Sequence, residues 1–175
     1  MNQFDAQAAT WEDKPSRAER ARATAEAIAA RIPLQRSWSV LDIGSGTGLL
    51  SRMLADRVGR IVLVDTSQGM IDVAAQMIAA TDDDQLSAVC LDITADRPPG
   101  APFDLAVSQL MLHHVPDVEG LFASVLCHIE QGGYVAFADL SVEEIAQLTK
   151  ERDGRDSSYG LLLLTGRVPV TVTTP

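Results

Sequence analysis

Residues 38–48 read Trp38-Ser39-Val40-Leu41-Asp42-Ile43-Gly44-Ser45-Gly46-Thr47-Gly48, a short apolar run that ends in an acid and three alternating glycines. A continuous apolar run of this length, bounded by glycine, predicts a buried strand. Glycines serve where the backbone must turn tightly and a ligand must come close to it. The next helical periodicity is predicted to begin at about Thr47, so the free N–H groups of that helix would face the same turn.

Working outward, the same alternation recurs. Residues 16–32 are rich in strong helix formers and stop at Pro33, which predicts a helix. Leu50, Met53 and Leu54 give 47–57 a helical period. Arg60–Asp65 is a second β-branched run, and 67–80 carries Met70, Ile71, Ala74, Ala75 and Ile78 on one side of a helix. Residues 86–92 and 103–110 read as the third and fourth strands, with a proline-rich loop between them. A helix is predicted over 117–129 and a fifth strand over 132–140. Residues 159–168, Tyr159-Gly160-Leu161-Leu162-Leu163-Leu164-Thr165-Gly166-Arg167-Val168, read as a last buried strand. Apolar strands alternating with helices predict an α/β fold: a doubly wound, mostly parallel sheet of six to seven strands with helices on both faces.

One domain accommodates all 175 residues. Its parts are an N-terminal helical lid (1–33), a ligand-binding core (34–140), a short C-terminal part (141–168) and a tail (169–175). Phe4 and Trp11 precede the first helix and could either close over a ligand or staple that helix to the sheet. With 46% hydrophobic and 22% charged residues the composition is that of a globular protein, and no apolar run is long enough to span a bilayer. The polar start lacks the order of a secretory signal, so the expectation is a cytoplasmic protein with no membrane partner. A net charge of −10 repels phosphate backbones and argues against nucleic acid. Arg17, Arg20 and Arg22 read as a solvated helix face. Cys90 and Cys127 read as small buried hydrophobes, and neither CxxC nor a Cys/His metal cluster is present, so no metal is expected.

Carboxylates sharpen the reading of the glycine turn. Asp42, Asp65 and Asp92 each end a predicted strand, one β-α unit apart, and therefore share the carboxyl edge of a parallel sheet, where ligands of open α/β folds bind. Asp65 is placed to accept both ribose hydroxyls of a nucleoside, and Asp92 could accept from an adenine amine. Dinucleotide binding calls for a small residue at position 49, where this chain has Leu49, and a Tyr-x-x-x-Lys pair is also absent. A nicotinamide-dependent oxidoreductase is disfavoured accordingly. The acid two residues before Gly44 suits an ammonium better than a pyrophosphate, and S-adenosylmethionine carries an α-ammonium, a sulfonium and no phosphate.

From about Phe4 to Leu140 the chain resembles class I S-adenosylmethionine-dependent methyltransferases. Phe4, Asp5, Ala8 and Trp11 resemble the FDxxAxxW opening of one broad group of that family. Leu41–Gly48 resembles the glycine-rich cofactor motif, which implies Asp42, Gly44, Ser45, Gly46 and Gly48 as cofactor-binding residues. Val64–Ile71 resembles the ribose segment, implying Asp65 and Thr66 at the ribose and Met70 near the adenosine. Cys90–Ile93 resembles the adenine segment and implies Asp92 and Ile93. Ser108–Asp117 resembles the fourth-strand segment facing cofactor and acceptor, with Ser108 at the cofactor. His113 and His114 are the candidate general bases there, or else pack and cap a helix start. The family usually has a longer segment after Leu140. Over 141–151 local propensity predicts a helix, with a Ser141-x-x-Glu144 capping box, whereas the resemblance implies a strand at 145–150. The implied function is methyl transfer to a small-molecule acceptor, the alternative being a cofactor-binding partner subunit or sensor without turnover. The thinly covered last strand raises the expectation that a second copy, as a homodimer, or another protein covers its edge.

Overall fold

The computed structural model describes residues 4–81, 84–140 and 161–169. After a 3-10 segment over Asp5–Asp13 the order is α1 (Pro15–Arg31), β1 (Ser39–Ile43), α2 (Leu49–Leu54), β2 (Arg60–Asp65), α3 (Gln68–Thr81), β3 (Leu86–Cys90), β4 (Phe103–Gln109), α4 (Val118–Leu126), β5 (Ile129–Leu140) and β6 (Leu161–Arg167). The six strands form one sheet in the order β3-β2-β1-β4-β5-β6. All neighbours pair in parallel except β5 and β6, which are antiparallel. The expected α/β architecture is therefore present, with the order reversing between β1 and β4.

Two apolar layers sandwich the sheet. On one face Ala25 and Ile28 of α1, Leu50 and Leu54 of α2 and Ala74 of α3 pack on Val40, Leu63 and Leu105. On the other, Leu121 and Val125 of α4 pack with Ile93 on Leu41, Val64 and Phe137. Alternate residues of β1 serve opposite layers, so its apolar run is continuous because both faces are covered.

Several boundaries differ from the sequence reading. The first glycine turn runs on through Gly48, which caps α2 at φ +84, so the helix begins at Leu49 rather than near Thr47. β3 stops at Cys90, because Asp92 closes a local turn by accepting from the Thr94 N–H and hydroxyl. β5 begins at Ile129, three residues early, and absorbs Gly132 and Gly133 as an irregularity within the strand instead of starting after them. Cys90 and Cys127 are exposed, the first because β3 ends the sheet and the second because it lies just beyond α4. β6 likewise ends the sheet, and Leu164 is 50% exposed, where the sequence predicts a buried strand. The expected helix or strand at 141–151 lies outside the described residues. Among the described residues no helix is long and apolar enough to cross a membrane.

Candidate functional site

A cleft of about 1000 Å³ opens at the carboxyl edge of the sheet, where β1 and β4 diverge, the position at which open α/β sheets take ligands. Its floor is the glycine turn. Ser45 donates its N–H to the Val64 carbonyl at 3.1 Å, and Gly46 donates its N–H to Asp65 Oδ2 at 2.8 Å. The turn is thus bolted to the end of β2. Gly44 and Gly46 adopt φ +63 and +55, which other residues reach only with strain.

Each strand-end carboxylate has a distinct setting. Asp42 is buried, 1% exposed, and accepts from Ser51 Oγ at 2.6 Å. Burial raises its carboxyl to about 7; the Ser51 bonds oppose the rise and the Asp65 charge adds to it. Asp65 accepts from Gly46 on one oxygen and from the Ser67 N–H, at 2.8 Å, on the other. Each oxygen keeps a further lone pair. Asp92 lines the cleft and is exposed.

Of the residues singled out in the sequence, Asp42, Gly44, Ser45, Gly46, Asp65, Thr66, Met70, Asp92, Ile93, His113 and His114 all line this one cleft. Two do not. Gly48 caps α2 beside Leu63, where a Cβ would come within 2.5 Å of that side chain. Ser108 is buried and donates to the Ile43 carbonyl at 2.7 Å, tying β4 to β1. Both hold the frame rather than the wall.

The far wall is built after β4. The chain leaves β4 through Leu110 at φ +57, a left-handed geometry with no glycine to announce it. Leu112–His114 then form one 3-10 turn. His113 Nδ1 lies 2.7 Å from Asp139 Oδ1, and Asp139 also accepts the Leu112 and Leu140 N–H groups. Burial alone would raise Asp139, but the His113 and backbone hydrogen bonds outweigh it and hold the carboxyl below its ordinary range. An ionised carboxylate only accepts, so Nδ1 carries a proton here, and in the neutral tautomer Nε2 has the lone pair. His114 is shifted down by burial and then by the His113 charge.

The N-terminal segment crosses the remaining side. Asp5 accepts from Ser67 Oγ at 2.6 Å and from the Gly69 N–H at 3.2 Å. Glu12 accepts from Thr47 Oγ1 at 2.7 Å and pairs with Arg52 at 2.6 Å. Between these two tethers, Phe4 stands edge-on to Trp11 and to His114. Both aromatics line the cleft. Arg17 and Arg20 line it as well, which corrects the reading of their helix face as merely solvated; Arg22 alone is exposed in that way.

Asp139, Glu12, Asp5 and the two arginines were not selected from the sequence as site residues. Asp139 carries a usable signal, since it stands at the carboxyl end of a strand, as Asp42 and Asp65 do. Among the described residues no group of three or more His, Cys, Asp or Glu could hold a metal ion.

Comparison with known proteins gives this geometry a family. The chain is 31% identical over 129 residues to a malonyl-[acyl-carrier protein] O-methyltransferase of Serratia marcescens, covering 72% of this chain and 49% of that one. It is 33% identical over 132 residues to a trans-aconitate 2-methyltransferase of Azoarcus, covering 73% and 49%. It thus spans about half the length of these relatives. A chain from the complex between the Haloferax volcanii Trm112 methyltransferase activator and a methyltransferase superimposes with a TM-score of 0.72 at 27% identity, covering 86% of this chain and 66% of that one. Residues 40–133, from the start of β1 to the glycine irregularity in β5, match the methyltransferase domain family, and the chain belongs to the class I S-adenosylmethionine-dependent methyltransferases.

Proposed function

We propose that this chain transfers a methyl group from S-adenosylmethionine to an oxygen of a small-molecule acceptor. One observation carries the reading: the Asp139-held His113 faces the same cleft as the glycine turn and the Asp65 carboxylate. A single cavity then holds a nucleoside-binding edge and a group able to take a proton.

The cleft fits that cofactor on its own terms. A Cβ built on Gly46 would project into the gap between Trp11 and Met70, 3.7 Å from Nε1 and 3.9 Å from Sδ. Glycine leaves that gap open to a ligand. The spare lone pairs of Asp65 suit two ribose hydroxyls, and Asp92 suits an amine at the adenine end. Asp65, joined by Asp42 once that carboxyl is ionised, supplies negative potential near a cationic ligand, and the turn offers no lysine to a phosphate.

The cofactor supplies an electrophilic methyl group on a sulfonium centre. Everything else falls to the chain. Positioning of two reactants in one dry cavity provides much of the acceleration of a displacement. Asp139 holds His113 in the tautomer whose Nε2 can accept the acceptor's proton, a contribution of roughly 10²- to 10⁴-fold in such reactions. Phe4 and Trp11, tethered through Asp5 and Glu12, act as a lid that excludes water. The relative named as a malonyl-[acyl-carrier protein] O-methyltransferase supports oxygen as the accepting atom.

Transfer of labelled methyl groups to a panel of small carboxylic acids, phenols and amines tests the proposal. Labelled oxygen esters or ethers are the expected products. Products formed on amines alone would overturn the assignment of oxygen, and cofactor binding with no turnover of any acceptor would leave a binding protein without catalysis.

A further inference from the structure

The way His113 is held bears on which kind of oxygen it serves. Asp139 Oδ1 lies 2.7 Å from His113 Nδ1 and accepts the Leu140 N–H at 2.7 Å, while Oδ2 accepts the Leu112 N–H at 2.6 Å. Two backbone bonds thus fix the carboxylate, and the carboxylate fixes the imidazole. Asp139 is only 8% exposed and does not itself line the cleft, whereas His113 does. Among the described residues Nε2 has no partner. A methyl acceptor whose reacting oxygen is already an anion has no use for this arrangement. A carboxyl group loses its proton at about 4 and is ionised before it arrives.

Hydroxyl groups do need a base, but not equally. Proton transfer from a phenol, at about 10, to an imidazole, at about 6.5, is a modest climb that bond formation to carbon can complete. An aliphatic hydroxyl, close to water at about 15.7, makes the same transfer far steeper. The wall around His113 also suits the ring that makes a phenol. The His114 ring is centred 3.9 Å from that of His113, and the Phe4 ring stands 5.2 Å from that of His114 in an edge contact. Burial, then the His113 charge, holds His114 below its ordinary range, so this second ring stays neutral. Met111, whose carbonyl accepts the His114 N–H, and Leu140 add apolar surface to the same cleft. Flat rings pack offset or edge-on against such a wall.

We propose that the methyl acceptor is a phenolic hydroxyl, its ring against Phe4 and His114 and its proton passing to His113 Nε2. The inference rests on the proposed methyl transfer to oxygen and names the class of that oxygen. The new bond joins the phenolic oxygen to the methyl carbon. The bond from that carbon to the sulfonium sulfur breaks and leaves its electron pair on sulfur, and the phenolic proton moves through Nε2 to solvent. A methyl ether, a thioether with a neutral sulfur and one proton result. Arg17 and Arg20, which also line the cleft, do not alter the choice. A cation can hold a carboxylate but gives it no proton to lose, and His113 would then have no task.

Transfer of labelled methyl groups by the full chain to ring-substituted phenols, and to benzoic acids carrying the same rings, tests this. Methyl ethers should form faster than the matching esters. His113→Ala should slow methylation of unsubstituted phenol roughly hundredfold at neutral pH. It should slow 4-nitrophenol, largely ionised there without help, by much less. The deficit on unsubstituted phenol should also shrink as pH approaches about 10, where that phenol ionises by itself. Calorimetry with S-adenosylmethionine should find the cofactor affinity of the variant unchanged. The comparison of ethers with esters on the unaltered chain stands even if the variant fails to fold. Esters formed as fast as ethers, or faster, would overturn the phenolic assignment and leave transfer to oxygen in place. So would a His113→Ala deficit that is the same for every phenol and at every pH. Methylation of amines alone would overturn the oxygen reading itself, a failure distinct from a preference for esters.

Discussion

The Asp65 carboxylate accepts the Gly46 N–H at 2.8 Å, joining the end of one strand to the turn that follows its neighbour. The same group holds the Ser67 N–H with its second oxygen, so Asp65 shapes the cleft floor before any ligand arrives. A side chain of this kind has two jobs, and its replacement should reveal both.

Asp65→Ala should weaken binding of S-adenosylmethionine by about 2–4 kcal/mol, because charged acceptors for the ribose hydroxyls are lost. Asp65→Asn keeps one acceptor and should cost less. Titration calorimetry measures both; affinity of Asp65→Ala within twofold of the original chain would disprove the ribose assignment.

The His113–Asp139 pair predicts a different signature. His113→Ala should lower kcat by roughly 10²-fold or more and leave cofactor affinity unchanged. Asp139→Asn should lower kcat as well, since an amide can present its NH2 to Nδ1 and favour the wrong tautomer. A kcat for either variant close to that of the original chain would remove the pair from proton transfer.

At Gly46 the question is steric. Gly46→Val places a branched side chain in the Trp11–Met70 gap on a backbone at φ +55, a geometry that β-branched residues adopt with strain. Cofactor affinity should fall at least tenfold, with a lower melting temperature. Circular dichroism must accompany the titration, and a folded variant with undiminished affinity would take the turn out of the site.

Much of this site is legible in the sequence because its parts are local. A strand, a glycine turn and a helix start follow one another between Val40 and Leu49, and the strand-end acids Asp42 and Asp65 recur one β-α unit apart. Long-range tethers leave no such trace. Nothing near Asp5 or Glu12 announces Ser67, Thr47 or Arg52, because those contacts exist only once the chain has closed over the sheet. Arg17 and Arg20 mislead for a related reason: helical period shows which face they share, not what that face meets. Cys90 looks buried within an apolar run, yet strand order, which local sequence does not encode, puts β3 at the edge. Asp139 obeys the same strand-end rule as the other acids and becomes meaningful only when His113 is seen against it.

The stability of the chain should depend on pH through Asp42. Asp42 has an ordinary carboxyl value of 3.8 that burial, partly offset by the Ser51 hydrogen bonds, raises to about 7 in the folded chain. The folded state therefore holds this proton more tightly than the unfolded state does. Its contribution favours folding most at low pH and is lost progressively as pH rises from about 4 to about 7, by up to about 4 kcal/mol. Asp139 acts in the opposite sense and in a lower window. Its folded carboxyl lies below 3.8, so its stabilisation is present above that value and disappears as pH falls through the folded one. Between pH 4 and 7 the Asp42 effect is thus isolated from that of Asp139. Urea unfolding across this range should show the free energy of the original chain falling relative to that of Asp42→Asn, which has no proton to lose. Saturating S-adenosylmethionine, whose positive charge favours the ionised carboxylate, should shift the fall to lower pH and release protons on binding, measurable as a dependence of the titration heat on the ionisation enthalpy of the buffer. Parallel pH profiles for the original chain and Asp42→Asn would show that Asp42 titrates normally in the folded protein, and would remove it as the acid facing the ammonium.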